Sequence, residues 1–448
     1  MKAIRSISWR TSRPSQQQPL AGPQRALLLS RYVSTNPSPE TNGDFAARLR
    51  EEMLARPPTW IEERFLSPTR SQLLDLALAD YLPADAIQDR LIGRKPSALP
   101  PGHHLVYFPP MLAESELLPD GTDPKHSPGQ GFSRRLWAGG SLEFTHRVHS
   151  RPVSDPAPDS PPGSDSEPAR EHKAVISADK LRLGSLRCAC RESIADVTVR
   201  GQPGNEKVYV ELLREYGYFH SVDLQRRETF RLSIIERRTL VFLRDEEVKM
   251  DVAKSQDQTT ASSSDSNSGN NKKVRAPAPH KPDYSFELTP SRRLLFHFSA
   301  LTHNAHLIHL DREYCRASEG HRDLLVHGPL SLVLMLTALR AAAKVVGPAR
   351  GEKHIQSISY RNLAPLYVGE TMRVCVRHTS NAATEYPATG TKRSTDSWEI
   401  WIEGPDGGMA VKASAVTMSG PKKYKANLKK NRAGDHENNV SPGNQEFA

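Results

Sequence analysis

Only four cysteines occur in 448 residues, and their spacing builds nothing: Cys188 and Cys190 form a Cys-x-Cys, while Cys315 and Cys375 stand alone. A disulfide scaffold and a four-ligand zinc site are both excluded, which leaves reduced, packing cysteines. Long apolar runs are equally scarce. None approaches the roughly 20 residues that a bilayer-spanning helix needs; the best stretch, 330–346, is interrupted by Arg340 and Lys344. Acid is missing from the first 39 residues, which instead carry Lys2, Arg5, Arg10, Arg13, Arg25 and Arg31 among many serines. That composition predicts a mitochondrial transit peptide, with Arg31-Tyr32-Val33-Ser34 as a candidate matrix-processing site.

Hydrophobic residues reach only 37%, and 35 prolines are scattered along the chain, so long stretches must stay outside any core. The formal charge of +10 resides at the two ends. The leader supplies six of those charges, and the tail from Gly420 sets six basic residues against Asp435, Glu437 and Glu446. The part between is close to neutral, so no phosphate-binding face for nucleic acid is expected. Residues 150–172, rich in Pro, Ser and acid, read as an insertion in a surface loop, and 254–280 as a Ser/Asn/Gly linker. The expected organisation is a leader over 1–39, an N-terminal half over 44–250 with that insertion, a linker over 251–283, a C-terminal half over 284–420, and a solvated basic tail over 421–448.

Apolar residues spaced at three and four predict helices over 44–56 and 69–81. Strand-like alternation marks 104–108, 207–212 and 232–243, and in the second half 293–298, 355–363, 371–378, 398–403 and 411–419. The polar stretch 379–396 reads as a long hairpin loop. Between them lies one long helix, 329–346, apolar nearly all round, which must be buried. An antiparallel sheet wrapped about it is the hot-dog architecture, and both halves are compatible with it.

Chemistry-bearing residues gather just ahead of that helix. Residues 298–311 read FSALTHNAHLIHLD, with His303, His306, His309 and Asn304 inside seven positions, and the helix is entered through His327-Gly328-Pro329. Glycine and proline at a helix start leave backbone N–H groups pointing outward, where they favour developing negative charge. A carbonyl that must become an enolate needs such donors, and a nearby imidazole can move the α-proton. His306 and His309, three apart, would also suit a metal, but no Asp, Glu or Cys completes a ligand set at a usual spacing.

This segment resembles the hydratase-2 motif of the MaoC-like dehydratase family, an aromatic followed by S/T-G-D-x-N-P-L/I-H. Phe298 stands at the aromatic, Thr302 at the hydroxyl position, Asn304 at the family's Asp, His306 at its Asn, and Ile308-His309 at the closing pair. Val326-His327-Gly328-Pro329 resembles the family's helix entry, and 358–374 its closing strand. The run T-x-N-x-H-x-I-H-x-D with Tyr314 and LLVHGPL is most similar to one branch. That branch comprises the mitochondrial type 2 hydroxyacyl-thioester dehydratases and the mesaconyl- or itaconyl-CoA hydratases. HLVYFPP (104–110), Asp120-Gly121 and RRLWAGGS (134–141) resemble the N-terminal half of those proteins, although as residues they also read as turns and a buried tryptophan.

The resemblance implies an α+β double hot-dog, two fused halves of antiparallel sheet around a long central helix, the N-terminal half degenerate. It implies dehydration of (3R)-hydroxyacyl thioesters, on CoA or acyl carrier protein, to trans-2-enoyl thioesters in mitochondrial type II fatty-acid synthesis. No cofactor, metal, nucleic acid or membrane partner is implied, and a homodimer is open. An amide at position 304 cannot serve as a carboxylate base, though it can orient a hydroxyl. Proton transfer then falls on His309, with Asn304 holding the oxygen and Gly328 polarising the carbonyl through its N–H. His306, Thr302 and His327 support them. The alternatives are hydration of mesaconyl- or itaconyl-CoA, with Arg134, Arg135 or Arg361 taking the free carboxylate, and a non-catalytic acyl-binding module. A thioesterase is disfavoured because 330–346 offers no carboxylate.

Overall fold

An all-round apolar helix needs cover on every side, and the rest of the chain supplies it. The computed structural model describes residues 42–87, 98–129, 131–152, 172–178, 181–220, 229–245, 277–278, 280–346, 353–386 and 391–419. The expected leader, the basic tail, and most of the insertion and the linker lie outside the described residues.

The first half runs α1 (Asn42–Leu54), β1 (Thr59–Phe65), α2 (Pro68–Leu78), β2 (Arg134–Phe144), β3 (His146–Pro152), β4 (His172–Ala178), β5 (Leu186–Arg200), β6 (Lys207–His220) and β7 (Thr229–Leu243). The second runs β8 (Tyr284–Leu288), α3 (Arg292–Thr302), α4 (Arg312–Ala317), α5 (Gly328–Val345), β9 (Lys353–Asn362), β10 (Met372–Tyr386), β11 (Thr391–Glu403) and β12 (Met409–Ser419). Ten strands form one antiparallel sheet in the order β1-β5-β6-β7-β2-β9-β12-β11-β10-β8, while β3 and β4 pair separately. Read inward from each edge, both halves repeat one pattern: first strand outermost, second strand at the centre, the other three between them. The chain is thus a double hot-dog whose copies join at β2 and β9.

That seam explains the paired glycines of β2. A Cβ at Gly139 would lie 2.3 Å from the Tyr360 carbonyl oxygen of β9, and one at Gly140 would lie 2.1 Å from the Arg237 oxygen of β7. Only the absence of side chains lets three backbones approach there. Trp137 Nε1 donates to Tyr360 Oη (3.1 Å) and Asn362 Nδ2 to the Trp137 carbonyl (2.8 Å), locking the halves beside the start of α5.

α5 is built of Leu, Ala and Met, with Pro329 in its first turn, where no intrahelical N–H is lost. By length and apolarity it could cross a membrane, but most of it is enclosed by the protein. Leu330, Leu332, Val333, Leu334, Met335 and Leu336 are fully buried, each contributing roughly 1.5–3 kcal/mol by removal from water. Gly102, with φ +94°, brings a short 3₁₀ turn, His103–Val106, onto this helix; a Cβ at 102 would meet Leu336 Cδ1 at 3.2 Å. Among the described residues that turn is all the N-terminal half places where the C-terminal half has α5. Buried ion pairs flank it, with Arg238 to Glu236 at 2.7 Å and Arg214 to Glu192 at 3.0 Å.

Three local expectations change. Residues 293–298 form the helix α3, not a strand: Leu294, Leu295 and Phe298 are buried while Phe296 is 61% exposed, a helical rather than a two-residue period, and the Ser291 side chain caps the start. Residues 104–108 comprise the buried 3₁₀ turn together with Tyr107 and Phe108 just beyond it, and burial on all sides leaves no alternating face. The stretch 379–396 is not a loop: the ladder between β10 and β11 continues out to Tyr386 and Thr391. Its polarity fits a two-stranded ribbon beyond the core.

If α5 is the common core, Leu336→Ala should cost about 2–5 kcal/mol, and Val345→Ala, at a site 66% exposed, should stay within about 0.5 kcal/mol. Urea denaturation midpoints measure both, and equal effects would contradict the arrangement.

Candidate active site

The segment after α3 is a strap whose backbone is held at nearly every step. Thr302 Oγ1 donates back to the Phe298 carbonyl (2.7 Å), and His303 takes the left-handed conformation (φ +51°) that turns the chain. Asn304 N donates to the Ser299 carbonyl (2.9 Å), and the Asn304 Oδ1 accepts from His306 N (3.1 Å), an Asx turn that closes the corner. A 3₁₀ turn, Leu307–His309, follows, and Leu325 N donates to the Ile308 carbonyl (2.9 Å), tying the strap to the entry of α5.

His309 is oriented by its second nitrogen. Its Nδ1 lies 2.9 Å from the Leu325 carbonyl oxygen, which can only accept, so Nδ1 carries the proton and Nε2 keeps a lone pair. Burial pushes its pKa down to about 4, so it stays a neutral base well below neutral pH. His327 stacks on it with ring centroids 3.6 Å apart, and is itself held by Ser299 Oγ at 2.8 Å from its Nε2. His327 is fully enclosed and backs His309. His306 stands across, ring to ring 5.7 Å from His309, its pKa held well below the usual imidazole value by burial and by Arg135.

Two cavities meet here. The larger, about 560 Å³, is lined by Asn304, His306, His309, Gly328 and Ser331 on one side and by Arg134, Arg135 and Trp137 of β2 on the other. The smaller, about 170 Å³, lies in the N-terminal half among Trp60, Leu105, Phe108 and Leu212, and also touches Thr302 and His303. Asn304, Arg135, Trp137 and Pro329 border both. Gly328, the first residue of α5, packs against Trp137: a Cβ there would fall 3.2 Å from the ring and 3.3 Å from Asn362 Nδ2. The first N–H groups of α5 have no partner within the helix, and so are available to an oxyanion.

Thus Asn304, His306, His309 and the Gly328 backbone converge on one cavity, while Thr302 spends its hydroxyl on the helix end and His327 stands behind. Of the three arginines considered for a carboxylate, Arg134 pairs with Glu319 (2.9 Å) and Arg361 is exposed on β9. Arg135 lines both cavities and makes no hydrogen bond or ion pair within the described residues. Asp123, His126 and Glu192 bring three ligand-type atoms within 4.8 Å. Glu192 is, however, already held by His126 (2.8 Å) and Arg214 (3.0 Å), so the group reads as an ion network. One contact went unseen in the sequence, where Asp120 figured only as part of the N-terminal resemblance: its Oδ2 stands 3.6 Å from His306 Nε2. Neither residue's local context announces the contact, because it depends on how the halves dock.

With this geometry in view, the chain's likeness to known proteins becomes readable. The profile of the family described as hydroxyacyl-thioester dehydratase type 2 matches residues 102–154 and 173–368, which takes in both sides of the cavity. A mitochondrial hydroxyacyl-thioester dehydratase type 2 of Schizosaccharomyces pombe is 26% identical over 325 residues, covering 71% of this chain and 89% of that one. A mesaconyl-C(4)-CoA hydratase of Chloroflexus aurantiacus is 35% identical over 127 residues, 28% of this chain and 37% of its own. A solved MaoC-like dehydratase aligns over 82% of this chain and all of its own, with 13% identity and a TM-score of 0.46; the strand order, not that superposition, carries the fold.

Buried neutral histidines make folding sensitive to acid. His104, His309 and His321 are each pushed down to about 4, whereas the unfolded chain protonates them near 6.5. Between those values the unfolded state binds more protons, so stability falls as pH falls, by up to about 1.4 kcal/mol per group per pH unit. Asp75, pushed up to about 6, and Glu63 and Glu319, raised by burial, work the opposite way, but His103, His306 and His327, held well below the usual imidazole value, add to the three. The thermal midpoint should therefore drop between pH 7 and pH 5; a flat or rising midpoint would contradict these burials.

Proposed function

The chain belongs to the hydroxyacyl-thioester dehydratase type 2 family, and on that premise we propose that it interconverts (3R)-3-hydroxyacyl and trans-2-enoyl thioesters carried on CoA or acyl carrier protein. The observation that carries this reading is the Nδ1 contact of His309 with the Leu325 carbonyl, which leaves Nε2 as a lone-pair base facing the cavity. Nε2 takes the α-proton, and the thioester oxygen, at the N-terminus of α5 beside Gly328, receives the charge as an enolate. Asn304, held by its own Asx turn, orients the hydroxyl that departs or the water that adds. The acid-free leader and the mitochondrial relative support import into the mitochondrial matrix and a place in type II fatty-acid synthesis.

A second reading has an observation of its own. Arg135 is a half-buried guanidinium at the meeting of the two cavities that makes no hydrogen bond or ion-pair contact among the described residues, with the Asp120 and Asp123 carboxylates near it, and its free donors suit an anionic ligand group. A substrate with a free carboxylate, of the mesaconyl-CoA type, would satisfy it.

His309→Ala should lower hydration of crotonyl-CoA by at least about 100-fold with the thermal midpoint retained; unchanged turnover would reject the assignment. Crotonyl-CoA and mesaconyl-CoA compared in wild type and Arg135→Gln separate the two substrates. A preference of about 10-fold or more for mesaconyl-CoA that Arg135→Gln abolishes supports the dicarboxylic reading, and no preference rejects it. A fluorescent protein fused behind residues 1–39 should reach mitochondria; diffuse cytosolic signal would contradict import.

A further inference from the structure

The carboxylate that the family motif places at position 304 is absent, yet a carboxylate reaches the histidines from the other half. Asp120 Oδ2 and His306 Nε2 lie 3.6 Å apart, and both atoms are fully enclosed without a hydrogen-bond partner. Buried polar atoms left unpaired cost about 1–3 kcal/mol each, and a closure of about half an ångström would satisfy both. The other oxygen of Asp120, Oδ1, holds its own loop, accepting from Thr122 N (3.0 Å) and Thr122 Oγ1 (2.7 Å).

The backbone holds this register. Leu307 N donates to the Asp120 carbonyl (2.9 Å), docking the loop on the strap. Gly121, at φ +81°, permits the approach, since a Cβ there would lie 2.1 Å from the Ala305 carbonyl oxygen. The groups facing His306 are Asp120 from this loop, His309 from its own turn, His321 from the loop ahead of α5, and Arg135 from β2. Of these, only Asp120 favours a proton on the ring.

Building on the dehydratase reading, we propose that Asp120 positions His306, and that the pair is the second proton-transfer group of the site, acting on the β-oxygen while His309 acts on the α-carbon. With Nε2–H directed at the carboxylate, Nδ1 is the ring nitrogen left for the cavity, as in carboxylate–histidine pairs generally. The resting ring is neutral, with its proton on Nε2; dehydration starts from the form that carries a second proton, on Nδ1, which the Asp120 carboxylate favours against burial, while His309 has none on Nε2. His309 Nε2 takes the α-proton, and the C–H electron pair passes through the enolate into the Cα=Cβ bond. The Cβ–O bond breaks with its pair on oxygen, and that oxygen takes the Nδ1 proton and leaves as water. His309 now holds one proton and His306 lacks one; a water between rings 5.7 Å apart can return it. The Asp120 charge balances that proton wherever it resides, which is how a site with Asn304 can still run acid–base chemistry.

The structure also supplies a clean test. Asp120→Asn keeps an Oδ1 for Thr122 and removes only the charge. For crotonyl-CoA hydration, kcat should fall by about 100-fold or more, with KM and thermal midpoint little changed. His306→Gln should lose a similar factor, and the double variant should be no slower than either single one, as for residues that act as a unit. Nitrogen-15 NMR of the His306 ring reads the pair without turnover: the proton sits on Nε2 in the wild type and moves toward Nδ1 in Asp120→Asn. Turnover within about 3-fold of wild type in Asp120→Asn, losses that multiply in the double variant, or an unchanged tautomer would each overturn the proposal. A wild type that hydrates no enoyl thioester, with the tautomer still following Asp120, would overturn the dehydratase reading and uphold the pairing.

Discussion

Everything in this fold depends on the need to bury α5. A helix with apolar residues on every face finds no stable place at a surface, and one curled half-sheet covers only part of it. The other half completes the cover through its 3₁₀ turn, which presses Gly102 against Leu336, while its strands continue the sheet across β2 and β9. Where such a helix begins, its first N–H groups lack internal partners. Chemistry that needs hydrogen-bond donors for an oxyanion therefore has a ready position at Gly328, and the strap 303–309 delivers its side chains there.

The seam makes the site a joint product. Gly139 and Gly140 let β2 lie close between β7 and β9, and that approach brings Trp137 against Gly328 and Arg135 to the cavity. The half with only a 3₁₀ turn in place of a central helix is degenerate in its core, but it forms one wall of both cavities. Burial then sets the electrostatics. His306, His309 and His327 are all held toward their neutral forms, and for His309 the hydrogen bond to the Leu325 carbonyl decides which nitrogen is free.

What the sequence made legible was whatever is local. The helix at 329–346, the entry His327-Gly328-Pro329 and the histidine strap all announced themselves by periodicity and spacing, and the structure gathers Asn304, His306, His309 and Gly328 around one cavity. Misreadings arose where local pattern was ambiguous. Leu294, Phe296 and Phe298 alternate like a strand, and only burial shows the helical period; polar residues at 379–396 resemble a loop because the ribbon they form faces little core. The place of Asp120 beside the histidines could not be found this way. Its meeting with His306 depends on two halves docking with a glycine, Gly121, at the point of contact. Choosing Arg135 over Arg134 and Arg361 likewise required knowing that Glu319 neutralises one and solvent surrounds another.

The account stands on one chemical claim, that a neutral imidazole in this cavity moves a single proton at the carbon next to a thioester. Hydration of crotonyl-CoA by the purified protein in deuterium oxide, with NMR of the product, tests it most directly. The account predicts (3R)-3-hydroxybutyryl-CoA carrying one deuterium at Cα. Product of the 3S configuration, product without deuterium at Cα, or no product at all would contradict it.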